Sequence, residues 1–538
     1  MRKASGWMTL LTAAGLTMSS AALAKASADE AAKLGKELTA VGAVRAGNAD
    51  GTIPEWVGGK YFDDTIRSQT PESLELVRQQ FEAVRSKNPA AFDELLKYLD
   101  KFEIKDYPAI SKQIDAIIGQ LPKSLAELDK GQQDAAKKIP GLPADGNLQA
   151  LAQKQRQQIG GGGEYEAPQF IITKDNLAQH ADKLTEGHKA MFAKYPSYRM
   201  IVYPSLRTAY FPPEIEQATI KNASTAELIG TDEVKGAVLG FPFPIPKSGA
   251  EVLWNHKMRF RGSAVRRFNN QAIVKLDGSY KISKLVEDVK FKYANLEEAN
   301  PGTKILLYYL SEVLSPPRVA GQLTLVHETS GAGGSGRDAW IYNPGLGRVN
   351  RAPDVGYDNP YIGTDGEQFN DQVDMFNGAL DRYDWKLIGK KEMYIAYNSF
   401  LINAPLIKYA DIIRPGHINQ NLSRYELHRV WIVEATLRDG LRHQFKKRRF
   451  YIDEDSWAVA VVDCYDNRDQ LWKVQEAQLL TVPFVPTVTG IPEIIYDLQS
   501  GRYFVTALQN EDRISDFKIK LQDKDFAPNS LSRRAQSR

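Results

Sequence analysis

The sequence predicts an α+β protein built on a curved antiparallel sheet of about 10–11 strands, with helices covering the sheet. Three observations predict this class. Residues 424–480 hold four runs rich in β-branched and aromatic residues, separated by short turns. Further strand-like runs recur from residue 198 onward, whereas residues 61–160 repeat apolar residues at helical spacing. A sheet of so many strands curls, so we expect a barrel or half-barrel.

Residues 1–24 have the pattern of a cleaved signal peptide. Arg2 and Lys3 form a charged start, residues 8–18 are uncharged, and the Ala-Leu-Ala at 22–24 fits the small-x-small cleavage rule. A bilayer span needs about 20 apolar residues, which neither this segment nor any later one supplies. We therefore expect a periplasmic protein that is not a transmembrane protein.

Charge and cysteine content exclude several classes. The chain has 69 Lys and Arg against 66 Asp and Glu. So balanced a charge gives no field that would attract nucleic acid. The basic run at 446–449 is expected to be a solvent-exposed strand facing the acidic turn at 453–455. The single cysteine, Cys464, cannot form an internal disulfide and is expected to be a small buried side chain.

Residues 25–60 form an N-terminal segment with one metal-like motif. Residues 48–53, Asn-Ala-Asp-Gly-Thr-Ile, resemble the centre of a calcium loop. The first and last ligand positions would be Ala46 and Val57, which carry no carboxylate. The motif therefore predicts an ordinary Asx and glycine turn.

Residues 61–163 are predicted to be a helical insertion followed by a linker. Pro71 suits a helix start, residues 135–158 could form one further helix, and the four glycines at 160–163 suit a hinge. The residues at helical spacing are Leu74, Val77, Phe81, Val84, Phe92, Leu95, Leu96, Leu99, Ile110, Ile114, Ile117 and Ile118.

Residues 164–500 are assigned to the β domain and residues 501–538 to a C-terminal tail. The strand-like runs are 252–261, 272–276, 304–314, 321–328, 339–342, 384–397, 425–437, 442–452, 458–465 and 471–479. His180 and His188 lie in a short helical stretch before these runs, and we expect both on the solvent-exposed surface.

Side-chain alternation along the strands supplies the candidate ligand-binding residues. Alternate residues of a strand share one face, so an apolar residue at every second position indicates an apolar surface. The runs at 425–437 and 471–479 are expected to be neighbours that share such a surface. The seven candidates are Trp340, Tyr342, Trp431, Val433, Ala435, Trp472 and Val474.

No local motif predicts catalysis, a cofactor or a metal. The sequence contains no G-x-S-x-G, H-E-x-x-H or C-x-x-C pattern. Histidines in strand-like runs, among them His256 and His428, are too scattered for local metal spacing. A hydrolase whose site is assembled in space stays open as an alternative.

A set of short motifs resembles a known family. The motifs lie at 38–43, 45–48, 254–256, 338–345, 348–353, 374–378, 381–385, 424–431 and 450–457. Together they resemble, over about residues 36–500, the proteobacterial family called domain of unknown function 1329. The helical block at 61–160 looks like an insertion relative to shorter members.

That resemblance implies a fold and a function. The family is grouped with the lipoprotein carriers LolA and LolB, whose unclosed antiparallel half-barrel encloses an apolar cavity beneath helices. The resemblance implies a hydrophobic small molecule or lipid as ligand. It also implies a resistance-nodulation-division (RND) type inner-membrane transporter and an outer-membrane β-barrel protein as partners. We expect a periplasmic carrier that passes such a molecule between the transporter and the outer membrane. A non-carrying adaptor of a transport complex is the first alternative, and cavity volume separates the two.

Overall fold

A computed structural model describes residues 25–159, 167–298, 303–330, 336–352, 357–361 and 363–536. The signal peptide and the glycine linker lie outside these residues. The described helices are α1 (Ala28–Ala31), α2 (Asp64–Arg67), α3 (Pro71–Lys87), α4 (Pro89–Asp100), α5 (Tyr107–Ile118), α6 (Lys130–Ala136), α7 (Leu148–Ile159), α8 (Glu186–Lys194), α9 (Pro213–Thr225), α10 (Gly249–Met258), α11 (Tyr409–Ile412) and α12 (Ser530–Gln536).

The described strands number seventeen. They are β1 (Phe170–Ile172), β2 (Met200–Val202), β3 (Glu227–Ile229), β4 (Glu233–Lys235), β5 (Ala264–Val274), β6 (Tyr280–Phe291), β7 (Ile305–Ser315), β8 (Leu323–Thr329), β9 (Arg337–Asn343), β10 (Arg348–Arg351), β11 (Tyr383–Ala396), β12 (Tyr425–Leu437), β13 (Lys447–Asp453), β14 (Val459–Tyr465), β15 (Leu471–Val482), β16 (Thr487–Asp497) and β17 (Tyr503–Leu508).

The N-terminal segment contains the predicted turn. The Asn48 Oδ1 atom accepts the Ile53 N–H at 2.8 Å, and the Asp50 Oδ1 atom accepts the Thr52 N–H at 3.0 Å. Gly51 has a φ of +74°, which favours glycine. The Asx and glycine turn is therefore confirmed.

The helical block follows its proline and capping signals. Pro71 opens α3, and the Thr70 hydroxyl accepts the Ser73 N–H at 3.2 Å in a capping box. The single helix suggested for residues 135–158 is wrong. α6 ends at Ala136 and α7 begins at Leu148, because Pro140 and Pro143 lie between them and interrupt the helical pattern.

The block packs onto the rest of the protein through α3 and α4. The Arg85 guanidinium donates to the Leu406 carbonyl at 3.0 Å, and the Asn421 amide donates to the Leu99 carbonyl at 2.6 Å. Buried side chains of the block join the same continuous core as those of the sheet. That the block is a separable insertion stays a prediction.

Fifteen of the strands form one sheet. Its order is β1–β2–β12–β13–β14–β15–β16–β17–β5–β6–β7–β8–β9–β10, and β11 also pairs with β12. Pairing is antiparallel apart from one contact between β2 and β12. The predicted count of 10–11 is too low, because β1, β6, β10, β16 and β17 were not identified as separate strands.

The sheet curves strongly without closing. The Ser399 N–H, just after β11, donates to the Leu479 carbonyl of β15 at 3.0 Å, although β12, β13 and β14 separate those strands in the sheet. In the described chain, β10 forms an edge that pairs only with β9. The result is a mostly-sheet fold with a curved, unclosed antiparallel sheet and helices.

The run at 252–261 is a correction, because it forms helix α10 and not a strand. The Ser248 hydroxyl caps the helix by accepting the Glu251 N–H at 3.2 Å. Nine of its ten residues are buried. A helix buried on all sides lacks a polar face, so periodicity cannot distinguish it from a buried strand.

The C-terminal residues are part of the fold. β17 pairs with β16 on one side and with β5 on the other. The sheet therefore continues beyond residue 500. The chain beyond it crosses the outer face of β6–β9, where Phe526 and Leu531 are buried. The Arg534 guanidinium holds α12 against Asp288 of β6 at 2.8 Å. No helix in the described part combines the length and apolar character needed to cross a bilayer.

Candidate functional site: a cavity in the open half of the sheet

The inner face of β5–β9 lines a cavity of about 440 Å³. Alternate residues of each strand point into it, as strand geometry requires. We call β5–β9 the open half of the sheet. Its lining includes the apolar residues Val265, Leu285, Val289, Phe291, Leu307, Val313, Val326 and Ile341, with Phe376 and Phe517 from loops. The volume lies within the roughly 300–1,000 Å³ typical of ligand sites.

The opposite face of the same strands is covered by the C-terminal segment. Tyr308 stacks on Phe526 with ring centroids 5.3 Å apart, and Leu310 and Leu325 are buried beside them. The Asp523 carboxylate pairs with Lys292 at 2.9 Å. Because this face is covered, the inner face is the one available to a ligand.

One end of the cavity is cationic. Pairing in the sheet places Leu307 opposite both Phe291 and Glu328, and Glu328 opposite Arg337. Arg337 therefore lies at one end of the strands that line the cavity. We define the cationic end as Lys257, Arg259, Arg261 and Arg337, with the carboxylates Asp374 and Glu328. All of these except Arg259 line the cavity.

The segment at 374–378 holds this end together. The Asp374 carboxylate pairs with Arg259 and with Arg261. The Arg337 guanidinium donates to the Asn377 carbonyl at 3.0 Å and pairs with Glu328 at 2.8 Å. The Lys257 ammonium donates to the Gly378 carbonyl at 2.5 Å and lies 3.6 Å from Glu328. Four cations thus share two carboxylates in direct contact.

Burial perturbs the titration of these groups. Burial lowers the pKa of Arg261 to about 10, although the negative charge of Asp374 acts to raise it. Burial and the nearby Asp374 carboxylate raise the pKa of Glu493 to about 8, although Arg267 and Arg259 oppose that shift. Glu493 therefore adds little negative charge beside Asp374 at neutral pH.

The middle of the cavity wall is polar. The Tyr309 hydroxyl donates to Glu287 at 2.7 Å and lies 3.1 Å from the Tyr361 hydroxyl. The Arg267 guanidinium pairs with the same Glu287 carboxylate. Here the charges pair one to one, unlike those of the cationic end.

The candidates in the meander lie in packed core. Val433, Ala435 and Val474 are almost fully buried. A Cβ added to Gly249 would lie 2.7 Å from the Val433 Cγ1 atom, so the start of α10 rests directly on β12. Trp431 stacks on Trp457 at 6.0 Å. We call β11–β15 the filled half of the sheet.

The predicted shared surface of the meander is wrong. Pairing carries Val433 of β12 across β13 and β14 to Gln475 of β15, whereas Val474 lies opposite Asp463. Val433 and Val474 therefore point to opposite faces, and β12 and β15 are not neighbours. Alternation fixes faces within one strand, but the register between strands is not visible in that pattern.

Trp340 and Tyr342 also lie away from the cavity. They share one face of β9, as their spacing predicts, but that face packs under the C-terminal segment. The residue between them, Ile341, lines the cavity instead. None of the seven candidates is among the described lining residues, and ligand binding by them stays a prediction. The sequence did contain one signal for the cationic end. Arg259 and Arg261 are two residues apart, so in an extended segment both side chains point to the same side.

Two surface assignments are wrong because buried partners were far away in sequence. His188 is 1% exposed, and its Nε2 atom lies 3.1 Å from the Glu476 carboxylate. Arg448, in the basic run, is equally buried and pairs with Asp371 at 2.7 Å. The predicted burial of Cys464 is confirmed.

A cluster of buried charged groups surrounds His428 in the filled half. Its Nε2 atom lies 3.1 Å from Glu426, and its Nδ1 atom lies 3.5 Å from Asp453. Burial opposes the charged ring, but hydrogen bonds to Asp453 and Glu426 raise the pKa of His428 to about 9. His428, Asp453 and Asp455 could offer metal ligands within 4.8 Å of one another. Since Arg207 already holds both Asp455 oxygens, at 2.9 and 2.6 Å, an ion-pair network explains the cluster.

The curved, unclosed sheet with a lined cavity defines an α+β protein with a candidate ligand site. Residues 171–532 match the family described as "Protein of unknown function (DUF1329)". Because the match spans more than half of the chain, the protein belongs to the DUF1329 family, and the resemblance seen in the sequence is confirmed. The uncharacterized protein PA3922 of Pseudomonas aeruginosa is 38% identical over 514 residues, covering 95% of this chain and 94% of that protein.

Solved structures show weaker likeness. A DUF1329 family protein from Desulfovibrio piger is 17% identical, with a TM-score of 0.37, and the match covers 53% of this chain and 97% of that one. A putative outer membrane lipoprotein-sorting protein domain from Vibrio parahaemolyticus is 15% identical, also at 0.37, over 53% and 98%. The LolA superfamily protein NE2245 from Nitrosomonas europaea is 14% identical at 0.33, over 53% and 100%. At these TM-scores, the likenesses carry no argument about this chain.

Proposed function

We propose that this protein is a periplasmic carrier that binds a lipid or another hydrophobic molecule in the cavity of the open half. In this proposal, the protein passes the molecule between an RND-type inner-membrane transporter and the outer membrane. The observation that carries the proposal is the cavity itself, about 440 Å³ in volume and walled on one side by apolar residues of β6–β9. The resemblance to the LolA and LolB group motivates the partners.

The physics of carrying is burial. Removing an acyl chain from water is worth roughly 0.8 kcal/mol per methylene, so a lipid crosses an aqueous gap only when its chain is shielded. Val265, Val289, Phe291, Leu307 and Phe517 form an apolar cluster in the cavity wall and give such a chain a surface to pack against.

The adaptor alternative predicts a sheet filled by its own side chains. The filled half matches that description, whereas the open half does not. The cavity volume therefore favours the carrier. If the protein is an adaptor, neither lipid nor a neutral apolar dye should occupy the cavity.

Native mass spectrometry of protein purified from the periplasm, followed by organic extraction, tests the proposal directly. Bound lipid is expected, and the neutral dye N-phenyl-1-naphthylamine should compete for the same site. Val326→Trp places a large ring in the cavity and should abolish dye binding. Leu314→Trp, at an exposed position on β7, is the matched control and should bind normally. Absence of lipid, together with equal dye binding by both variants, would favour the adaptor.

The hydrolase alternative is tested on the same protein. Ser311 lines the cavity, so turnover of p-nitrophenyl dodecanoate that disappears in Ser311→Ala would support an enzyme. Binding without turnover would support the carrier.

A further inference from the structure

We propose that the ligand is an anionic amphiphile whose acid group binds at the cationic end while its apolar body lies along β6 and β7. This inference rests on the proposed function, because it specifies the chemistry of the molecule that the cavity carries. Three observations support it: an excess of cations, an unpartnered nitrogen and an apolar cluster next to the cations.

Charge at the cationic end is not balanced locally. Asp374 and Glu328 are in direct contact with four cations. Asp232 is the next carboxylate near Lys257, but it accepts the Leu380 N–H at 2.9 Å. With Asp232 counted, three carboxylates face the four cations. The fourth carboxylate nearby, Glu493, has its pKa raised to about 8 by burial and by Asp374, so one positive charge is left over at neutral pH. An uncompensated charge in a buried site is costly, and an acid group would offset it.

Arg261 provides a donor that no protein group uses. Its guanidinium is mostly buried and lines the cavity, and its Nε atom has no hydrogen-bond partner among the described residues. The Arg261 guanidinium also lies over the Phe291 ring, 4.8 Å from its centroid. A guanidinium held in this way is suited to a carboxylate or phosphate, because its planar donors match those oxygens.

An apolar cluster lies next to the cationic end. Val265, Val289, Phe291, Leu307 and Phe517 pack together, and all five line the cavity. Leu307 pairs with Phe291 on one side and with Glu328 on the other, so the cluster adjoins the cationic end directly. A head group at Arg261 would therefore place the apolar body of the same molecule against this cluster.

The experiment compares ligands that share one chain and differ in head group. Dodecanoate, dodecyl phosphate and dodecanol are titrated into delipidated full-length mature protein by calorimetry. A charge-assisted hydrogen bond should make the acids bind about 10- to 100-fold more tightly than the alcohol. That advantage should shrink as salt is added. Equal affinity for acid and alcohol would overturn the inference but leave the carrier intact, whereas no binding of any of the three would overturn both.

Variants locate the head group. Arg261→Met should remove most of the preference for the acids over dodecanol. Lys257→Gln is the second variant, and it should reduce the same preference if Arg261→Met does not fold. Arg348→Gln, which removes an exposed charge outside the lining, is the matched control and should keep the full preference. If Arg348→Gln lowers the preference as much as Lys257→Gln, general electrostatic attraction explains the result and the assigned site is wrong.

A competition with inorganic phosphate separates a lipid site from a site for free anions. Phosphate alone should displace dodecanoate poorly, because it lacks the apolar body. Displacement by phosphate as effective as that by dodecyl phosphate would overturn the amphiphile assignment.

Discussion

The filled half and the open half use the same inner face of one sheet in different ways. In the filled half, α10 rests on β12 at Gly249 and Val433. The same helix ends at the cavity, where Lys257 belongs to the lining. Because α10 covers only part of the inner face, the difference between the halves comes from where the covering elements stop. Strand alternation in each half indicates an apolar face, but it does not show what covers that face.

The halves also differ in how charge is used. In the filled half, His428, Arg207 and their carboxylates are buried and paired with one another. In the open half, the four cations of the cationic end outnumber the two carboxylates that they contact directly. The first arrangement holds the strands together, and the second is available to a ligand. Substitutions in the two halves should therefore affect different properties.

The largest expected effect is on stability, from His428→Ala in the filled half. Its removal leaves Glu426 and Asp453 as buried carboxylates without their shared partner. Breaking a buried ion pair costs about 3–5 kcal/mol. Urea unfolding followed by circular dichroism should show a loss of this size. A loss below about 1 kcal/mol would mean that the network is not an essential part of the filled half, since surface pairs contribute that little.

Titration of the same histidine gives a smaller effect, because the ring stays in place. The pKa of His428 in the folded protein is about 9, raised above the usual value of about 6.5. Its stabilising contribution is therefore fully present below about pH 6.5 and is lost as the pH rises through about 9. The free energy of unfolding should fall over that range, and His428→Gln should remove this part of the slope. An unchanged slope in the variant would contradict the assignment.

Sequence reasoning reached the elements more readily than the site. The proline-led helices, the Asx turn and the meander follow local rules and could be predicted. The cavity could not, because it depends on β6 and on α10, a helix whose all-round burial hides its period. Register placed Val433 and Val474 on opposite faces, and no single-strand pattern contains that information. Buried His188 and Arg448 have partners 288 and 77 residues away, beyond any local motif.

Val433→Trp should be the next largest perturbation. Val433 is fully buried, directly beneath the start of α10, so a larger ring has no space. Overpacking of this kind costs about 1–3 kcal/mol. Thermal and urea unfolding should show this loss, while dodecanol binding in the cavity should be retained. Normal stability would mean that the filled half also contains unoccupied space. The two halves would then not differ in packing as described.

The smallest effect on stability is expected from the same exchange in the open half. Val326 of β8 lines the cavity, so the ring of Val326→Trp can enter space that is not filled by protein. The cost should stay below about 1 kcal/mol, because little packed structure has to move. Ligand binding should be lost, since the ring takes the volume in which the apolar body lies. The two Val→Trp variants therefore form a matched pair: one should unfold more easily and still bind, and the other should stay stable and fail to bind. Equal destabilisation of both, with no change in binding, would mean that the cavity collapses in solution, and it would contradict the carrier.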